Sequence, residues 1–145
     1  MRSAVMNGDA KELAELMRQD PDFDVNMDQN VPGHTLLHFA CFQDSSSPVI
    51  PLLLAHPDID VNAKDVDEWT PFFYACGRAS CVREMLKDSR VKLNEPDSGG
   101  WTPLRFAAFE GYLDTIKWWI ASGRELGMST RIPLARQRIM AKQKW

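Results

Sequence analysis

Apolar positions in this chain come in short clusters separated by polar turns. Leu113, Ile116, Trp119 and Ile120 fall on one side of a helix, and that spacing predicts a core-facing stripe. A shorter apolar cluster, "PLRFAA" at 103–108, stands just before it behind a threonine. Together they predict two helices joined by a tight turn. The same grammar occurs upstream: Thr35 opens "TLLHFAC" and Thr70 opens "TPFFYAC". At the start of the chain, "AVMNGD" and "AKELAELMRQ" read as a similar pair with a shortened first helix.

The recurrence has a fixed period. The threonines Thr35, Thr70 and Thr102 are 35 and 32 residues apart. A second marker keeps step: Asn26, Asn62 and Asn94, in "DVN", "DVN" and "KLN", are 36 and 32 apart. Self-similarity at such a period is the signature of a repeat architecture. The sequence "GGWTPLRFAAFEGYLDTIKWWIASGRELG" and its two partial echoes resemble the ankyrin repeat, with its period near 33 and its T-P-L-H-x-A start. The resemblance runs from about Ala4 to about Gly127. It implies an all-α fold: a solenoid of stacked helix pairs with short hairpin-like turns, about three full repeats and degenerate ends. As one domain over 1–145 it divides into an N-terminal partial repeat (1–28), repeats at 29–64, 65–96 and 97–128, and a basic C-terminal cap or tail (129–145).

The letters have physical roles. A threonine before a helix can cap it by accepting a backbone N–H, and proline next to it costs no hydrogen bond at the first helical position. Ala40, Ala75 and Ala107 are small enough to let neighbouring helices approach. Cys41, Cys76 and Ala108 share the next position, so the two thiols read as packing. Leu36 replaces the proline in one copy, and Glu68 stands where a turn glycine is usual. The copy opened by Thr70 is expected to be the least regular. "QDSSSPV" at 43–49 reads as an inserted loop, with Ser47 and Pro48 marking a fresh helix start.

Composition narrows the function classes. No apolar run approaches the ~18 residues of a membrane span, and the N-terminal stretch has acids where a secretory signal is apolar. Three cysteines without a C-x-x-C pair make neither a disulfide framework nor a zinc site. The expectation is an intracellular, cytoplasmic protein. Residues 1–68 carry thirteen acids and four bases, and 69–145 seven acids and thirteen bases, so the net charge of −3 hides a dipole able to steer a charged partner. Asp58, Asp60, Asp65 and Asp67 lack the glycine and glutamate of a calcium loop and read as solvated turn acids. His38 falls in the repeat start as a structural hydrogen bonder, and His56 in a loop. No phosphate loop or nucleophile elbow is present. No enzyme activity, cofactor or metal is expected.

The segment "RIPLARQRIMAKQKW" carries five cations and no acid, but its apolar residues do not gather on one side. Docking over the open end of the stack is favoured over a disordered tail, and over nucleic-acid or membrane binding.

In a stack the core positions are committed, which leaves turn tips and the exposed ends of the first helices for function. The family resemblance implies protein binding there, on a concave face. Carried over by position, the candidates are His34, Trp69 and Trp101 before the threonines, Asp67 and Ser98 (with Val31) in the turn tips, and Phe42, Arg78, Phe109 and Glu110 at the helix ends. The tryptophans either contact a partner or pack on the neighbouring turn. The expected function is a monomeric, non-catalytic adaptor or scaffold for another protein. The alternative is a targeting or regulatory part of a larger enzyme or signalling protein.

Overall fold

The computed structural model describes residues 1–28 and 30–126. Among these there are helices and turns and no strand. In chain order the α-helices are α1 (Arg2–Met6), α2 (Ala10–Gln19), α3 (Leu36–Cys41), α4 (Ile50–Leu54), α5 (Pro71–Ala75), α6 (Ala79–Leu86), α7 (Pro103–Glu110) and α8 (Leu113–Ala121). They pair as α1–α2, α3–α4, α5–α6 and α7–α8. The pairs stack: α1 packs on α3 and α3 on α5 in an inner row, while α4 packs on α6 and α6 on α8 in an outer row. The expectations for the basic segment 129–145 lie outside the described residues.

The start signals work as their chemistry requires. Thr70 Oγ1 accepts from the Phe73 N–H (3.4 Å), and Thr102 Oγ1 from the Arg105 N–H (3.3 Å). Before α3 the chain uses a reciprocal cap, in which the Thr35 N–H donates to His38 Nδ1 (3.1 Å). Ala40, Ala75 and Ala107 are fully buried. Cys41, Cys76 and Cys81 are buried too, and burial pushes all three thiols up, that of Cys81 to about 12. They are packing groups, protonated at neutral pH.

The asparagine marker is a clasp between successive repeats. Asn26 Nδ2 donates to the Asp58 carbonyl (2.6 Å), and its Oδ1 accepts from the Asp60 N–H (2.8 Å). Asn62 repeats the pair one copy later, to the Arg90 carbonyl (3.0 Å) and from the Lys92 N–H (2.8 Å). One amide side chain thus satisfies a backbone donor and a backbone acceptor of the next loop, which explains why its period equals the repeat.

Three expectations need correction. The stretch 44–49 is not a loop: Asp44–Val49 form a 3₁₀ helix that runs into α4, so the new start lies at Ile50 rather than Pro48. Pro48 lies inside that 3₁₀ helix, and Ser46 and Val49 of the same helix are buried. The copy opened by Thr35, with its second helix split in this way, is accordingly less regular than the copy opened by Thr70. The stripe on α8 is not all core either. Trp119 and Thr115 are buried, but Leu113 and Ile120 are 64% and 59% exposed. Spacing gathered the four residues in one broad arc, but only its Trp119 edge meets the preceding repeat, while the edge with Leu113 and Ile120 faces outward.

The turn before each first helix holds a left-handed residue: Gly33 (φ 75°), Glu68 (φ 61°) and Gly100 (φ 78°). At Gly33 the conformation comes with a close approach, because a Cβ there would stand 2.5 Å from Asp65 Cα. Glu68 is the exposed exception, and an L residue with a Cβ is strained in this region. Glu68→Gly is therefore expected to stabilise the fold by about 0.5–1 kcal/mol. Thermal melting checks it, the midpoint rising by a few degrees.

Candidate functional site

The turn tips are built on aspartates. In the turn at 65–69 the Asp65 N–H donates to the Trp69 carbonyl (3.1 Å), and the Glu68 N–H to the Asp65 carbonyl (3.0 Å). Asp65 Oδ1 accepts from the N–H groups of Asp67 and Trp69, both at 2.9 Å. Its other oxygen accepts from Tyr74 Oη (2.6 Å) and lies 3.1 Å from His34 Nε2. Asp97 rebuilds the cradle one repeat on: Oδ1 accepts from Gly99 and Trp101 N–H, both at 2.9 Å, and Oδ2 from Trp69 Nε1 (3.2 Å). The two turns are tied by the Ser98 N–H donating to the Asp67 carbonyl (3.0 Å).

Asp65 corrects the reading of a solvated turn acid, since only 6% of it is exposed. Burial pushes its carboxyl up, but the donors of Tyr74, Trp69, Asp67 and His34 together outweigh burial and hold it below the usual range. The ionised carboxylate can only accept, so His34 presents its Nε2 proton, which also reaches Tyr74 Oη at 2.9 Å. Burial and the adjacent Asp65 push the Tyr74 hydroxyl far above its ordinary value, so it remains a donor. Asp65 thereby fixes the Tyr74 ring on α5 and the His34 ring in the turn before α3, as well as its own turn.

His38 sits beneath this network as the structural bonder the sequence predicts. Nδ1 accepts from Thr35, so Nε2 carries the proton and donates to the Trp69 carbonyl (3.1 Å). Burial lowers its pKa below the ordinary 6.5, despite the opposing pull of that bond. The unfolded chain then binds the proton more tightly. Stability from this group is complete above about 6.5 and lost as the pH falls below it. His38→Gln, which keeps one acceptor and one donor, is expected to flatten this pH dependence. Denaturant titrations at mildly alkaline and mildly acidic pH, for both proteins, measure the difference.

The rings on the inner face touch in sequence. Phe39 meets His34 (5.7 Å between centroids), His34 meets Tyr74 (5.4 Å), and Tyr74 meets Trp69 (5.2 Å). Trp69 stacks on buried Phe73 (4.4 Å) and meets Phe106 (5.5 Å), which meets Tyr112 (6.0 Å). Beyond them Trp101 packs edge-on to Phe109 (5.4 Å). Guanidinium groups lie on several rings: Arg2 on Phe39 (4.4 Å), Arg78 on Phe42 (5.4 Å) and Arg105 on Trp101 (4.1 Å). Between α1, α3 and α5 the surface sinks into a hollow of about 370 Å³, walled chiefly by Met6, Val31, His34, Phe39, Phe42 and Tyr74.

The residues singled out in the sequence are unequal in this setting. Phe42 and Phe109 are 50% and 73% exposed. Asp67, Ser98 and Glu110 are exposed, and His34, Trp69, Arg78 and Trp101 half-buried. His34 and Phe42 wall the hollow, where Phe42 also meets Tyr74 (6.3 Å), and Arg78 lies over the Phe42 ring. Trp101 and Phe109 form a second group. Trp69 is held by Phe73 and by the neighbouring turn's Asp97, so its ring is packing and surface at once. Sequence reasoning missed Asp65, Asp97 and the aromatics Phe39, Tyr74 and Phe106. A signal existed: each aromatic stands four residues after a repeat threonine, and each aspartate four before a tryptophan.

Among the described residues, no group of three or more His, Cys, Asp or Glu side chains is placed to hold a metal ion. Nor is any described helix long and apolar enough to cross a membrane.

Comparison with known proteins agrees with this architecture. A family model for ankyrin repeats in three copies matches residues 45–129, more than half of the chain. The SMC5-SMC6 complex localization factor protein 1 of Homo sapiens is 38% identical over 90 residues, covering 61% of this chain and 8% of that protein. The transient receptor potential cation channel subfamily A member 1 of Homo sapiens is 31% identical over 114 residues, 75% of this chain and 10% of its own length. The 26S proteasome non-ATPase regulatory subunit 10 of Dictyostelium discoideum is 31% identical over 67 residues, 45% of this chain and 29% of its own. This chain thus spans a small part of the relatives it matches. With the period, the paired helices and the turn cradles, the match settles the relationship: the chain belongs to the ankyrin-repeat family.

Proposed function

We propose that this protein is a non-catalytic adaptor that grips a protein partner on the concave face formed by its turn tips and first helices. Ankyrin repeats are in general protein–protein interaction modules, and the names of two relatives, a complex localization factor and a proteasome regulatory subunit, fit that role. One observation carries the reading. A run of touching aromatic rings crosses the inner face, with half-exposed Phe42 against it and largely exposed Phe109 in a separate pair with Trp101. Aromatic and arginine side chains held in place give up little entropy on binding and are favoured as hot spots. His34, Asp67, Trp69, Arg78, Ser98, Trp101 and Glu110 line or border this surface in the proposal. An intracellular, cytoplasmic monomer acting without nucleic acid, membrane, cofactor or metal goes with it.

A second reading is favoured by the lengths: the stretches matched in the localization factor and the channel subunit are 8% and 10% of those proteins. In it the stack is the targeting or regulatory part of a larger enzyme or signalling protein, and grips its target in the same way.

Phe42→Ala and Phe109→Ala test both. Each is expected to weaken binding of a captured partner about tenfold, on the order of 1–2 kcal/mol. The melting midpoint should stay within about a degree, because exposed side chains contribute little to folding. Unchanged affinity in both variants would remove the inner face as the site.

A further inference from the structure

The hollow between α1, α3 and α5 encloses about 370 Å³, at the lower end of the roughly 300–1,000 Å³ usual for ligand clefts. It suits one large side chain and its flanks. Met6, Val31, Phe39 and Phe42 give its wall hydrocarbon and ring, and the polar rings among them are already engaged. Tyr74 Oη donates to Asp65 (2.6 Å), His34 Nε2 lies 3.1 Å from the same carboxylate, and His38 Nε2 donates to the Trp69 carbonyl (3.1 Å). A polar group entering here leaves water with little to bond, whereas an apolar one gains from burial.

Cations flank the hollow along the stack. Arg2, from the preceding helix pair, lies over Phe39 (4.4 Å), and Arg78, from the turn between α5 and α6, lies over Phe42 (5.4 Å). Among the described residues Arg78 forms no ion pair. A guanidinium resting on a ring still presents its fork of N–H donors, which matches a carboxylate. Of the acids in neighbouring elements, Asp65 is closed inward and Asp44 accepts from the Ser80 N–H (3.1 Å). Asp67 stands exposed at the turn tip, at the other end of α5 from Arg78.

We propose that the hollow receives a Leu, Met or Phe side chain of the protein partner, and that an Asp or Glu within two residues of it pairs with Arg78. This rests on the inner face being the gripping surface and adds the chemistry of what is gripped. A lysine-rich segment would meet Arg2 and Arg78 as like charges and be selected against.

The test selects short random peptides displayed on phage against the full chain. The enriched peptides are expected to share an apolar residue within two positions of an acid. Replacing the acid of an enriched peptide by lysine is expected to weaken binding to the parent protein about tenfold, an effect that needs no protein variant to fold. Arg78→Glu should weaken the original peptide by a similar factor and bind the lysine peptide better than the parent does, with melting curves confirming its fold. A selection that enriches nothing, peptides without the pair, or peptides bound equally by parent and Arg78→Glu would overturn the proposal. If such peptides still lose affinity to Phe42→Ala or Phe109→Ala, the inner face stands without it; if neither variant matters, the inner face falls as well.

Discussion

Asp65→Ala is expected to lower the unfolding free energy by about 3–5 kcal/mol, the cost of leaving buried polar groups without their charged partner. Asp65 accepts from two backbone N–H groups of its own turn, from Tyr74 of the following helix and from His34 of the preceding repeat. Removing the carboxylate leaves these donors unsatisfied at once and frees the rings that wall the inner hollow. Asp65→Asn separates shape from charge. Its oxygen can serve the two backbone donors, but its amide then faces the Tyr74 and His34 donors with another donor. It is expected to cost about 2–3 kcal/mol, within the range for an unmade buried hydrogen bond. The carboxyl is held below its ordinary value of 3.8, so its contribution is present above that value and lost as the pH falls through and below it. The asparagine variant should lack this acid slope. Denaturant unfolding of the three proteins at neutral and acid pH decides the matter, and an alanine variant as stable as the parent would contradict the cradle.

Trp119→Ala is expected to cost about 3–5 kcal/mol by emptying the joint between the last two helix pairs. Its ring is fully buried, meets Phe72 edge-on at 5.3 Å, and anchors the chain after α8 through the Glu125 carbonyl. The adjacent Trp118 supplies the control. It is 39% exposed beneath the Arg83 guanidinium, 4.2 Å from its ring, and Trp118→Ala is expected to cost no more than about 1 kcal/mol. Thermal or chemical unfolding of both variants measures the contrast. Equal losses would contradict the placement of α8 on α6.

These two sites also mark where the sequence was legible and where it was not. The period, the threonine starts, the small Ala40, Ala75 and Ala107, and the structural role of His38 follow from local chemistry, because each is a requirement of one helix pair and its immediate neighbour. The asparagine marker was visible as a pattern, but its meaning as a clasp emerges only when two loops lie side by side. Asp65 looked like one turn acid among four, since nothing local shows Tyr74 of its own copy and His34 of the preceding one closing over it. On α8, helical spacing gathered Leu113, Ile116 and Ile120 without showing which side has a neighbour. At the inner face, positions before the threonines were chosen by repeat register. The aromatics four residues after them, which make the ring contacts continuous, were overlooked.

The most direct test of the account is a two-dimensional NMR titration that follows the tryptophan indole N–H signals as a captured protein partner is added. A partner gripped by the inner face is predicted to shift the signals of Trp69 and Trp101 while those of buried Trp119 and outer-row Trp118 stay in place. Movement of the Trp118 signal with Trp69 and Trp101 unchanged would put the partner on the opposite side of the stack and contradict the account.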